Sequence, residues 1–181
     1  MRAYEKLTNV TMHSRSLAAA TWVFAIARAP TASARTPMEV AAFHIDKSQN
    51  RNEVEYVVGV DASCAPSSAS PVRAYWRMLE RGPDATEPLT RREESLLGLE
   101  RQDVDGAAVR VVLRGLPSRP VTIHLARDAA GGCSASASVA IGGETAVLRD
   151  VYVKMSFFGV SWVQLTGWTR DGRRVRERLD P

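Results

Sequence analysis

Two histidines and their neighbours are the residues of this chain best suited to acid–base chemistry. His44 lies two positions before Asp46, and His124 lies two positions after Thr122. In an extended strand, residues two apart lie on the same face, so each imidazole has a polar neighbour. Because histidine titrates near neutral pH, it is the commonest general acid or base. One functional hypothesis is therefore a hydrolase that uses His44 or His124 with a nearby carboxylate.

The sequence lacks the common catalytic and cofactor signatures. It contains no G-x-S-x-G, no H-E-x-x-H and no P-loop pattern, which argues against the usual hydrolase, zinc-protease and nucleotide-binding sites. Two histidines without a third ligand at suitable spacing do not make a zinc site. Gly131-Gly132 and Gly142-Gly143 are typical of hairpin turns. We predict no catalytic residue, no metal and no cofactor, with both histidines at the surface as the simpler interpretation.

Binding without catalysis is the second hypothesis. Asn50 and Asn52 occupy a polar turn, where their side chains either contact a ligand or serve the turn itself. Trp162 shares a strand face with amide and hydroxyl side chains, a mixture found on sugar-binding surfaces and in cores alike. The candidate ligand-contact residues are His44, Asn50, Asn52, Tyr75, His124 and Trp162.

Cys64 and Cys133 are the two cysteines of the chain, and both fall in predicted loops. Their spacing does not fit a metal site. A bridge between them would close a loop of about 70 residues and stabilise the fold by roughly 4 kcal/mol in the chain-entropy model. The sequence leaves open whether the two thiols are bridged or free.

The first 34 residues are typical of a signal peptide. A short basic region follows Met12, an apolar run covers residues 17–27, and Ala32-Ser33-Ala34 fits the small-x-small cleavage rule. We predict cleavage after Ala34 and export to the periplasm or the extracellular space, with Met12 as an alternative start to Met1. The apolar run is too short to span a bilayer. The alternative interpretation is a buried N-terminal helix.

The charge distribution argues against nucleic-acid binding. The net charge of the chain is +4, but residues 1–34 hold four basic residues against one acidic residue. The remaining 20 basic and 19 acidic residues leave the predicted mature domain with a net charge of +1. A domain so close to neutral has no electrostatic footprint for phosphate backbones.

The elements that position these residues are predicted to be short strands. Residues 70–80 alternate apolar and polar side chains, with Trp76 as the largest apolar anchor. Similar alternation recurs to the C-terminus, separated by Gly, Pro and Asp turns. Thr90 and Glu93 match a capping box that begins a short helix ending at Gly98, with Leu96 and Leu97 packed on the strands as a lid or plug. The pattern predicts a mainly β fold, a single antiparallel β-barrel or β-sandwich of about eight strands with one short helix, over residues 35–181.

Five segments of the chain form a recognisable set: the polar turn 48–52 with Val54 and Tyr56, the strand 71–76, the helix start 89–93 with its end at Gly98, Tyr152-Val153 and the turn Asp171-Gly172. Together they resemble DUF4833, an uncharacterised bacterial domain-of-unknown-function family found in exported proteins. The resemblance extends from Phe43 to the C-terminus and implies no particular activity. Where that family favours an aromatic residue before the helix-ending glycine, this chain has Leu97.

The sequence therefore favours an exported, non-catalytic module that binds a small molecule, a glycan or a protein partner. The alternatives are the histidine-dependent hydrolase and a structural protein of the cell envelope. Neither the ligand nor the oligomeric state follows from these patterns.

Overall fold

The alternating segments form strands in the computed structural model, which describes residues 38–157 and 159–180. The predicted signal peptide, residues 1–34, lies outside the described residues. One helix, α1 (Arg91–Leu97), is present in the described part. The strands are β1 (Met38–Lys47), β2 (Glu53–Val60), β3 (Val72–Arg77), β4 (Thr86–Pro88), β5 (Leu99–Asp105), β6 (Ala108–Leu113), β7 (Leu116–Arg127), β8 (Cys133–Ile141), β9 (Glu144–Ser156), β10 (Gly159–Thr169) and β11 (Arg174–Leu179).

The sheet divides at β9. Its beginning pairs antiparallel with β8 through Glu144–Val147, and Val151–Val153 pair in parallel with Ile45–Lys47 of β1. Along its other edge, β9 pairs with β10, which in turn pairs with β11. One edge of β9 thus carries two arms: the first arm is β1, β2, β3 and β4, and the second arm is β8, β7, β6 and β5.

This topology corrects the predicted fold in three respects. The described residues form eleven strands, not about eight. The sheet is mixed, because β1 and β9 are parallel, and it does not close, so neither the barrel nor the sandwich is confirmed. Alternation identifies strands well, but the pairing of two strands far apart in sequence leaves no local pattern. The mainly β character and the short helix are confirmed.

One hydrophobic core is shared by the two arms. Phe43, Tyr56 and Trp76 of the first arm and Val111 and Ile123 of the second arm are at most 8% exposed and belong to one cluster. The rings of Phe43 and Tyr56 stack with their centroids 4.4 Å apart. Burial of each large apolar side chain contributes about 1.5–3 kcal/mol to stability. The prediction that Trp76 is a core residue is confirmed.

Two further links hold the arms together. Cys64, in the loop after β2, is bonded to Cys133 at the start of β8, with the two Cα atoms 5.4 Å apart. The side-chain amide of Gln102 on β5 accepts from the N–H of Val72 (2.8 Å) and donates to its carbonyl oxygen (3.0 Å). These links fasten β8 and β5, the innermost and outermost strands of the second arm, to the first arm.

Helix α1 covers one end of the core. Thr90 and Glu93 form the predicted capping box, and Gly98 ends the helix as expected. The hydroxyl of Tyr56 donates to the carbonyl oxygen of Leu97. A Cβ atom on Gly98 would lie 2.3 Å from the carbonyl oxygen of Glu94, so only glycine fits there. No helix among the described residues is long and apolar enough to cross a membrane.

Candidate functional site

An apolar cleft opens between α1 and the beginning of β10. It consists of two hollows of about 220 Å³ and about 340 Å³ that share five lining residues. The shared residues are Ile45, Leu96, Leu97, Val153 and Val160. Helix α1, which was predicted to act as a lid, therefore covers a space large enough for a small ligand.

The larger hollow has a polar rim. Lys47, Thr90, Arg92 and Glu93 line it beside the apolar residues. Burial of the Glu93 carboxyl raises its pKa, but hydrogen bonds from the Thr90 N–H (2.9 Å) and the Thr90 hydroxyl (2.8 Å) lower it. The lowering is larger in sum, so the net shift of the pKa is downward. Glu93 is thus an ionised carboxylate that caps the helix. The two basic side chains of the rim, Lys47 and Arg92, are the groups that could bind an anion.

A second polar cluster lies on the outer face of the sheet, away from the core. The imidazole Nε2 of His44 is 3.9 Å from a carboxylate oxygen of Asp46 and 3.9 Å from one of Glu53. Asp150 of β9 completes the cluster, since ligand atoms of His44, Asp46 and Asp150 all lie within 4.8 Å of one another. Burial and a hydrogen bond shared with Asp46 raise the pKa of the Asp150 carboxyl.

A β-bulge places Asp150 on that outer face. Leu148 pairs with Gly167 and Asp150 with Thr166, so Arg149 is an extra residue in β9. The inward positions therefore shift from even to odd numbers along the strand. Val147 is therefore 51% exposed, whereas Val151 is only 3% exposed.

His124 does not form the predicted acid–base pair. Its Nε2 lies 3.2 Å from the hydroxyl of Ser138, and the residue is exposed. Within residues 38–157 and 159–180, no carboxylate lies within 4 Å of this imidazole. Thr122, its predicted neighbour, accepts a bond from Ser138 through its carbonyl oxygen. His44 and His124 lie on β1 and β7, in different arms of the sheet.

Asn50 and Asn52 have local roles in the turn after β1. The side-chain oxygen of Asn50 accepts from the N–H of Asn52 at 3.0 Å. Asn52 is 7% exposed, and its own side-chain oxygen accepts from the N–H of Glu80 at 3.4 Å. These bonds support the turn interpretation that the sequence left open.

Tyr75 and Trp162 both lie on the outer face but not together. Burial and the Glu55 carboxylate raise the pKa of the Tyr75 hydroxyl. The Trp162 ring has Tyr152 at 5.5 Å and the Arg178 guanidinium at 4.6 Å from its centroid. A sugar ring would have to displace Arg178 to stack on that face of the indole.

Pairing between strands that are distant in sequence brings together the site residues that the sequence did not single out. Asp150 joins His44 only because β9 lies beside β1, and Val153 reaches the cleft from the same strand. Lys47 reaches the rim from the end of β1. The alternation of β1 shows that Ile45 and His44 lie on opposite faces of the strand. It does not show which residues of other strands lie beside them.

Comparison with known proteins gives one match. No curated protein and no solved structure matches the chain. The family profile for a domain of unknown function, DUF4833, matches residues 43–178, which contain the outer-face cluster, both cysteines and the cleft lining except Leu179 and Asp180. This chain belongs to the DUF4833 family.

Proposed function

We propose that the chain is an exported, non-catalytic binding module for a small amphiphile with an apolar body and an anionic group. The observation that carries this proposal is the apolar cleft beneath α1, with Leu97, Val153 and Val160 in its wall. Ligand sites are usually concave, mostly apolar and about 300–1,000 Å³ in volume, a range that includes the larger hollow of about 340 Å³.

The lining supports a small molecule over the other ligand classes that the sequence left open. Each methylene group transferred from water into such a cleft contributes about 0.8 kcal/mol, whereas a glycan would leave its hydroxyl groups without partners there. Lys47 and Arg92 at the rim favour a carboxylate, sulfate or sulfonate group on the ligand. A glycan or protein partner at Trp162 gains less support, because Arg178 already covers that ring.

Export is part of the proposal. Disulfides persist in oxidising compartments such as the periplasm and the extracellular space, and the Cys64–Cys133 bond fits such a location. The hydrolase alternative has less support. His44 lies 3.9 Å from its nearest carboxylate oxygens, beyond the distance at which a hydrogen bond would orient the imidazole as a general base.

The cleft can be tested with the fluorescent anion 1-anilinonaphthalene-8-sulfonate. We expect saturable binding at one site per chain, followed by the rise in dye fluorescence. Val160→Trp fills the cleft and should weaken binding at least about tenfold. Val147→Trp is the matched control, because it makes the same change at an exposed outer-face position, and it should leave the affinity unchanged.

The rim is tested with Lys47→Ala and Arg92→Ala. Each should weaken binding of the sulfonate by about threefold, since exposed charge pairs contribute up to about 1 kcal/mol. Equal affinity in wild type and Val160→Trp, or dye binding that never saturates, would overturn the proposal for the cleft.

A further inference from the structure

We infer that the outer face carries a divalent cation site, with the His44 imidazole and the Asp46 and Asp150 carboxylates as its ligands. The site is distinct from the cleft, because His44 and Asp46 point away from the core on the strand that sends Ile45 into it. One nitrogen and two carboxylate ligands suit a first-row transition metal such as Zn²⁺ or Mn²⁺.

The backbone holds these ligands in place from two strands. His44 and Asp46 are two apart on β1 and therefore share a face. Asp46 pairs with Tyr152 in the parallel register, which sets Asp150 beside β1. The arrangement depends on the middle of the sheet and not on a mobile loop.

The distances are compatible with coordination after small side-chain rotations. The ligand atoms lie within 4.8 Å of one another, while a tetrahedral cation with bonds of about 2.0–2.2 Å separates its ligands by about 3.4 Å. His44 and Asp46 have side chains that are 40% and 43% exposed. Both side chains therefore have room to turn toward a common centre, and solvent exposure gives the cation a path to the site.

The hydroxyl of Thr166 provides an independent indication of a ligand at this position. Thr166 is the cross-strand partner of Asp150 and is only 3% exposed. Its oxygen has no hydrogen-bond partner in the part of the chain that the structure describes. Buried hydroxyl groups normally have a partner. A water molecule bound to the cation next to Asp150 would give the Thr166 hydroxyl a hydrogen-bond partner. Hydrogen bonds of this kind to groups around the ligands commonly orient metal sites.

The surrounding charges favour a cation over an anion. Glu53 adds a third carboxylate, 3.9 Å from His44. Arg77 lies 3.4 Å from Glu53 and 3.5 Å from Glu55, so it partly neutralises the far side of the cluster. Asp46 and Asp150 contact each other as like groups, and a bound cation would remove their repulsion. Histidine among the ligands disfavours Ca²⁺ and Mg²⁺, which prefer all-oxygen sites.

The test is calorimetric titration of the chelator-treated full chain with ZnCl₂ and with MnCl₂. We expect one site per chain for at least one of the two metals. His44→Ala and Asp150→Asn should each weaken binding about tenfold or more. His124→Ala is the matched control, because it removes the other histidine of the domain and should leave the affinity unchanged.

Two further measurements separate a metal site from an effect on folding. Thr166→Val keeps the shape of the side chain and should weaken metal binding by about threefold or more, with an unchanged far-ultraviolet circular dichroism spectrum. Val160→Trp should bind the metal with the affinity of wild type, so the metal site and the ligand cleft are tested independently of each other. Equal losses in His44→Ala and His124→Ala, or wild-type affinity in Asp150→Asn, would overturn the inference.

Discussion

The charge of Glu177 is tied to the folded state by two hydrogen bonds. Its two carboxylate oxygens accept from the Arg119 guanidinium (2.7 Å) and from the Gly142 N–H (2.9 Å). These bonds, the one from Arg119 first, lower the pKa of the carboxyl from its usual value near 4.5. The carboxylate thereby joins β11 to β7 and to the turn after β8.

This shift predicts a particular loss of stability in acid. Because the pKa is lower in the folded state, the stabilisation is fully present above about pH 4.5 and disappears as the pH falls through the lowered value. Glu177→Gln should therefore flatten the pH dependence of urea unfolding below about pH 5. Glu100→Gln, at an exposed position of β5, is the control and should preserve the wild-type curve. An acid transition as steep in Glu177→Gln as in wild type would contradict the assignment.

At the scale of elements, α1 depends on contacts at its C-terminal end. None of its residues is buried, and a seven-residue helix is marginal without tertiary support. The Leu96 carbonyl accepts from the Gly115 N–H at 2.8 Å, and the Leu97 carbonyl accepts from Tyr56. The helix that covers the cleft is therefore fastened at one end.

Removing one of these contacts tests the attachment. Tyr56→Phe deletes the hydroxyl that reaches Leu97 and leaves that carbonyl without its donor, at a cost of about 1–3 kcal/mol in the free energy of unfolding. Amides of residues 93–98 should also exchange faster with solvent, as measured by hydrogen–deuterium exchange. Tyr152→Phe, on the outer face, is the control for loss of a hydroxyl. Unchanged exchange at residues 93–98 would show that α1 is held by other contacts.

The elements also indicate how far sequence reasoning extends. Simple alternation predicts that His44 and Asp46 share one face of β1, and Thr90 with Glu93 predicts the helix start because capping is local chemistry. Asp150 was missed for two physical reasons. The bulge at Arg149 breaks the period of two, and the parallel pairing with β1 leaves no trace in either segment. The cleft, which combines β1, α1, β9 and β10, depends on the same distant pairing.

At the scale of the whole molecule, the Cys64–Cys133 bond links the two arms across 69 positions of sequence. The double variant Cys64→Ser/Cys133→Ser should lose about 4 kcal/mol in the free energy of unfolding, because its unfolded chain regains the entropy of an open loop. Urea unfolding with and without a reducing agent measures this loss. Reductant should destabilise wild type toward the variant and leave the variant unchanged; a wild type that is insensitive after complete reduction would contradict the expectation.

The parallel pairing of β1 with β9 has a consequence for the nascent chain. Ile45 meets Val151 only after about a hundred further residues have been added, which takes about 5–20 s at typical rates of synthesis. During that interval β1 and β2 can form their hairpin, but the other edge of β1 has no strand to pair with. An unpaired edge invites association with other chains. The free edge of β1 is therefore open to such association until β9 is available to pair with it.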